Sequence, residues 1–305
     1  MKRNKLIGLL SLCLLAATFA SCEDWNETEA VKQKVERPED QNPELWAEYT
    51  AALRDYKQSE HFIVYARLFN SPQPGTSEKD FMRCLPDSLD IVSLTNADNF
   101  SKYDMPAMRE KGTKVLYQVD YAGRSGELTD ETKLGAYLDK VIAAVEKNGL
   151  DGYSFTGIPN AGDAATATAA ALIVERLSAA KTEGQLLVFE GNPLFLTEDA
   201  LSKVDYVVLD TEATENVTDL KMQVLNATGY AGVPATKLLL AAAAGAPLYD
   251  ENVEEHAAIT EMAERVVSLG PLAGLGTYDI YNDYYDLDMN YKLVRNAIQT
   301  LNPSK

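Results

Sequence analysis

Five carboxylates, Asp120, Glu190, Asp210, Glu212 and Asp279, stand at or just past the ends of short apolar runs. Carboxyl groups so placed cleave a glycosidic bond when two of them flank it, about 5 Å apart for retention of configuration and about 6.5–9.5 Å apart for inversion. The same run ends carry groups that could hold a sugar without cutting it: Asn96, Tyr121, Tyr153, Phe155, Asn192, Tyr278 and Tyr281. A sugar ring presents apolar CH faces edged by hydroxyls, and aromatic rings beside Asp, Asn and Glu suit it. Asp120, Asp210 and Asp279 also have a plainer use, capping helices or binding loop amides. His61 and His256 are the only histidines, and neither has a second ligand at helical or turn spacing, so neither a metal site nor a cofactor is expected.

These residues can act together only if the elements carrying them converge. From His61 onward a short apolar run, a polar turn and a helical stretch alternate eight times. The strand candidates are His61 to Leu68, Leu89 to Thr95, Lys114 to Tyr121, Gly149 to Phe155, Gln185 to Glu190, Val204 to Asp210, Lys237 to Ala244 and Leu272 to Tyr278. Helical patterns include Glu131 to Asn148, Ala161 to Ala180, Asn252 to Leu269 and Asp288 to Thr300, while Leu196 to Lys203 leaves room for about two turns. Alternation of strand and helix implies parallel pairing, and eight units in about 245 residues predict a single (β/α)8 TIM barrel. A doubly wound open sheet would want a glycine-rich turn after its first strand, and Ala66-Arg67-Leu68-Phe69-Asn70 offers none. In a barrel the functional groups gather at the C-terminal ends of the strands, where the residues named above fall.

The chain opens with Lys2, Arg3 and Lys5, an apolar run from Leu6 to Phe19, and Ala20-Ser21-Cys22. This is the pattern of an export leader over 1–21, too short to span a bilayer comfortably. It resembles a lipobox, which implies lipidation of Cys22 and anchoring at the membrane through its acyl chains. Residues 22–42 are polar and acidic without apolar period, as in a tether, and resemble the segment after the lipidated cysteine in surface lipoproteins of the Bacteroidetes. A helix is predicted from Pro43, with Trp46, Tyr49, Leu53 and Tyr56 striped along one face to pack on the barrel, so 43–305 reads as one domain. Of three cysteines only Cys84 remains after Cys13 leaves and Cys22 is lipidated, so no intrachain disulfide is expected. Formal net charge is −18, and −21 without the three leader cations, which disfavours nucleic acid and anionic lipid as partners while a neutral glycan meets no long-range repulsion.

The stretch Leu150-Asp151-Gly152-Tyr153-Ser154-Phe155-Thr156-Gly157-Ile158 resembles the strand-four signature of glycoside hydrolase family 18, the chitinases and endo-β-N-acetylglucosaminidases, Leu-Asp-Gly-x-Asp-x-Asp-x-Glu. Asp151 and Gly152 match. The resemblance places the family's three acids on Ser154, Thr156 and Ile158, none of them acidic, so the general acid is missing and no catalytic residue is expected there. It further implies a ring under the sugar at the last strand, where Tyr278 and Tyr281 stand, and a substrate-contacting Asp at Asp210. The reading this favours is a catalytically inactive family-18-like lipoprotein, anchored at the outer membrane and facing the cell surface. It would bind N-acetylglucosamine-containing glycans for a glycan-utilisation system, with an outer-membrane glycan importer as a possible partner. Two alternatives stand beside it: an active hydrolase with relocated carboxylates, and a subunit of an import complex that binds no sugar.

Overall fold

The computed structural model describes residues 37–70, 75–159 and 163–303. The leader at 1–21, Cys22 and most of the tether lie outside the described residues. The chain divides into two compact units, 1–47 and 48–305, with the boundary inside the helix Pro43–Gln58. Among its described residues the first unit holds the short helix Pro38–Gln41 and the opening of that longer helix, including Trp46.

In the second unit eight strands close into a barrel: Ile63–Leu68, Ile91–Leu94, Lys114–Val119, Gly152–Gly157, Leu186–Gly191, Tyr206–Leu209, Leu238–Ala243 and Gly274–Tyr278. Every neighbouring pair is parallel, and the eighth strand pairs with the first, Ile63 opposite Gly274. Side chains alternate between two apolar layers. Tyr65, Ile91, Leu116, Val188, Val208, Leu239, Ala241 and Tyr278 fill the lumen, while Val64, Val92, Val115, Tyr153, Phe155, Phe189 and Leu240 face the helices.

Most strands start later than the apolar runs do, because the residue ahead of them has another task. Asp90, Asp151 and Asp205 precede the second, fourth and sixth strands, and each turns its carboxylate onto the strand before. Asp90 accepts from the Val64 N–H (2.8 Å), Asp151 from the Val115 N–H (2.9 Å) and Asp205 from the Leu187 N–H (2.7 Å). A cation backs each one: His61 on Asp90, Lys114 on Asp151 and Lys181 on Asp205. The device satisfies a strand-end donor that the barrel ladder leaves unpaired.

The helices follow their caps. Glu131–Asn148 starts where Asp130 accepts from the Lys133 N–H and stops at Gly149, whose φ of 62° is the left-handed turn that glycine tolerates. Its buried residues Leu134, Leu138, Val141 and Val145 form one stripe. The expected helix from Asn252 instead begins at Ala258. Residues Pro247–Tyr249 and Glu255–Ala257 form an antiparallel hairpin, whose turn Asp250 holds by accepting from the Asn252 and Glu254 amides. The last helix runs Lys292–Leu301, and Asp283 caps it from outside by accepting from Leu293 and Val294. The short segment expected between the fifth and sixth strands is the helix Glu198–Lys203.

From Glu48 on, the N-terminal helix buries Thr50 and Leu53, while Tyr49 of the expected stripe is 42% exposed. The Tyr49 hydroxyl donates to Asp87 and Lys57 donates to the Thr113 hydroxyl. His61, just beyond it, has both ring nitrogens against acceptors, Nδ1 on the Ser59 carbonyl at 2.8 Å and Nε2 on Asp90 at 2.9 Å. Only the doubly protonated ring satisfies both. Burial alone would lower the His61 pKa and Lys57 adds to that, but the hydrogen bond and charge of Asp90 outweigh them and raise it. The folded state therefore holds this proton more tightly than the unfolded chain, whose imidazole titrates near 6.5. The stabilisation is full below about pH 6.5 and is lost as pH rises through the folded value. In urea unfolding between pH 5 and pH 8, the advantage of the wild type over His61→Gln is expected to shrink with rising pH. An advantage that stays flat or grows contradicts this.

Candidate functional site at the C-terminal rim

The fourth strand places Ser154 and Thr156 on the lumen side. Ser154 is fully buried and shares a 2.6 Å hydrogen bond with Ser93 on the second strand. Thr156 donates to Asp120 at 2.9 Å and accepts from the Ala122 N–H. Ile158 lies past the strand's end and is 67% exposed. None of the three can give or take a proton at a glycosidic oxygen.

Glu190, at the end of the fifth strand, is 3% exposed. Its Oε1 accepts from the Tyr65 hydroxyl (2.8 Å) and the Gln118 amide (3.0 Å), with the Ser93 hydroxyl at 3.4 Å. Its Oε2 is buried with no hydrogen-bond partner, 3.8 Å from Nη1 of Arg67. The same guanidinium binds Glu212 at 3.0 Å and lies 3.5 Å from the centroid of the Tyr278 ring. One cation thus joins two acids and covers an aromatic face, a desolvated cation–π contact. Burial, with Glu190 next in weight, keeps the Tyr278 phenol protonated far above its usual range, and burial likewise raises the Tyr65 phenol. Burial also raises the Glu212 carboxyl, against the pull of Arg67 and with the push of Asp210, Asp279 and Glu190.

The other sequence-selected residues scatter. Tyr153 and Phe155 are 1% and 0% exposed among the residues facing the helices, and cannot reach a ligand in the lumen. Period two explains this, since a strand that turns Ser154 and Thr156 inward must turn its odd residues outward. Tyr121 is buried in the same layer, its ring 5.9 Å from that of Phe195. Tyr278 is 2% exposed under Arg67, and its ring is unavailable as a platform. Asp120 is exposed but serves as a cap, accepting from the Gly123 N–H. Asn96 interlocks through its backbone with Asn70, and Tyr281 carries Lys79 over its ring at 5.6 Å.

Asn192 and Asp210 do come together. They line a groove of about 430 Å³ beside the fifth and sixth strand ends, closed on its far side by Gln223, Asn226, Ala227 and Tyr230. A larger cavity of about 1180 Å³, lined by Tyr56, His61, Ile63, Tyr206 and Leu272 among others, lies at the opposite end of the barrel, where this fold does not place its sites. Sequence spacing missed Arg67, Tyr65, Ser93 and Gln118, although inward alternation from Tyr65 to Arg67 was available as a signal. It also missed that Asp250, Glu254 and His256 converge in the hairpin, with ligand atoms within 4.8 Å of one another. Asp250 already spends one oxygen on the turn amides, and no role is assigned to this group.

The fold is a closed parallel (β/α)8 barrel. A family model described as glycoside hydrolase family 18, BT1044-like, matches residues 26–137, ending inside the helix before the fourth strand. The structure resembles a selenomethionine form of BT1044 carrying a Glu-to-Gln substitution, with a TM-score of 0.69 at 20% identity over 88% of this chain and 96% of that one. It resembles the apo endo-β-N-acetylglucosaminidase of Cordyceps militaris, with a TM-score of 0.64 at 20% identity over 83% and 95%; a variant of that enzyme has been solved with fucosyl-N-acetylglucosamine-Asn. A chitinase from Bacteroides thetaiotaomicron scores 0.61 at 13% identity over 80% and 97%. No curated protein matches the chain. Over residues 26–137 the chain is similar to glycoside hydrolase family 18, and at these identities the likeness to solved structures is one of fold.

Proposed function

We propose that this protein is a non-catalytic glycan-binding lipoprotein that captures N-acetylglucosamine-containing chains at its strand-end rim. The observation that carries the reading is chemical: Ser154, Thr156 and Ile158 stand where the resemblance puts the family's acids, and Arg67 pairs with Glu190, the buried carboxylate at the end of the fifth strand. Relocated catalysis would need two carboxyls free to flank one bond. Glu190 and Glu212 instead share a guanidinium. The ligand class rests on the amides of the rim and the exposed ring of Tyr230, on the net charge, and on the glycan found with the Cordyceps relative. Calorimetric titration of the purified mature protein with chito-oligosaccharides and N-glycans is expected to show saturable heat. Silence across a glycan array overturns the reading.

The same proposal anchors the protein through Cys22 at the outer membrane, facing the cell surface, where captured glycan would pass to an importer. Metabolic labelling with an alkynyl fatty acid is expected to mark the wild type and to be lost in Cys22→Ser. Equal labelling of both refutes the anchor.

A further inference from the structure

The Arg67 plug leaves the lumen with no room for a sugar over Tyr278, so a glycan-binding rim must hold its ligand elsewhere. We infer that the groove between the fifth-strand turn and the helical segment ending at Tyr230 is a saccharide subsite, taking a neutral oligosaccharide; this rests on the glycan-binding reading above. Its volume, about 430 Å³, lies within the range of small-ligand sites. Its polar lining is three amides, Asn192, Gln223 and Asn226, and one carboxylate, Asp210, with no cation, which suits hydroxyls and excludes anions.

The groups are available. Asn192 spends its oxygen on the Leu194 N–H, and Gln223 spends its nitrogen on the Thr214 hydroxyl. One donates and one accepts with what remains. Asp210 is exposed, and neither it nor Asn226 makes a side-chain hydrogen bond among the described residues. The Tyr230 ring is 79% exposed at the groove edge, where an aromatic face can meet the CH face of a sugar. The backbone supplies an independent sign: after the α-helix Val217–Leu225 the chain widens into a π-helical turn, Asn226–Tyr230. Such turns are rare and gather at functional sites. This one carries Asn226 and Tyr230 to the same groove that the helical face of Gln223 lines.

Calorimetry with chitotetraose and a high-mannose N-glycan on wild type, Tyr230→Ala, Tyr230→Trp and Tyr285→Ala tests the site. Tyr285 is as exposed, at 77%, but stands outside the groove. The expected result is about tenfold weaker binding in Tyr230→Ala, retained binding in Tyr230→Trp and no change in Tyr285→Ala. Wild-type binding that Tyr230→Ala leaves intact overturns the subsite while the glycan-binding reading stands. Absence of wild-type binding overturns both.

Discussion

Replacing Arg67 with methionine is expected to destabilise the protein by up to about 3–5 kcal/mol, the cost of leaving a buried carboxylate without its cation. Methionine fills similar volume, so the loss is electrostatic rather than a cavity. Without the guanidinium, Glu190 keeps the Tyr65 and Gln118 donors on Oε1 but faces the lumen with an uncompensated charge and an Oε2 that nothing reaches. Glu212 loses its partner as well, although it is about one third exposed and water absorbs part of that loss. The double variant Arg67→Met/Glu190→Gln should recover much of the deficit, because it removes the orphaned charge along with the cation. Urea unfolding of the three proteins measures this. A deficit under about 1 kcal/mol, the worth of a surface pair, would mean that Arg67 is not a plug.

The second large effect is predicted at Gly152, where alanine is expected to cost about 3 kcal/mol or more. The residue has φ of 128°, which L side chains rarely adopt, and a Cβ there would lie 2.1 Å from the Leu186 carbonyl oxygen and 2.6 Å from its nitrogen. Both neighbours are backbone of the fifth strand, held by the ladder that pairs Gly152 with Leu186, and cannot step aside. Overpacking and backbone strain each contribute about 1–3 kcal/mol. Thermal melting should show a large fall in Tm, whereas Gly135→Ala, in a helix with open space around its Cα, should hold or raise it. Equal melting temperatures for Gly152→Ala and wild type would contradict the close approach of these strands.

That glycine bears on what the sequence could disclose. Leu150-Asp151-Gly152, at the start of the fourth strand, serves the scaffold: Asp151 binds the third strand as Asp90 and Asp205 bind theirs, and Gly152 lets the fifth strand close in. The positions to which the resemblance assigns chemistry hold Ser154, Thr156 and Ile158. A resemblance carried by Asp151 and Gly152 therefore identifies the fold without identifying an activity. The eight strands and the helix Glu131–Asn148 were legible because local period and caps specify them. The hairpin before Ala258 was not, since its turn depends on one Asp side chain taking two amides. Nor was the Arg67 bridge, which joins groups from the first strand, the fifth strand and the loop after the sixth through the lumen. The facing of Tyr153 and Phe155 was legible in principle, because placing Ser154 and Thr156 inward already forced them outward.

The most direct test of the central claim, capture without cleavage, is incubation of the purified mature protein with N-glycans and chito-oligosaccharides, followed by mass spectrometry of the sugars. Every glycan that binds is expected to be recovered intact, in wild type and in Glu190→Gln alike. New reducing ends that appear with the wild type and vanish in Glu190→Gln would contradict it, and would make the buried carboxylate under Arg67 a catalytic one.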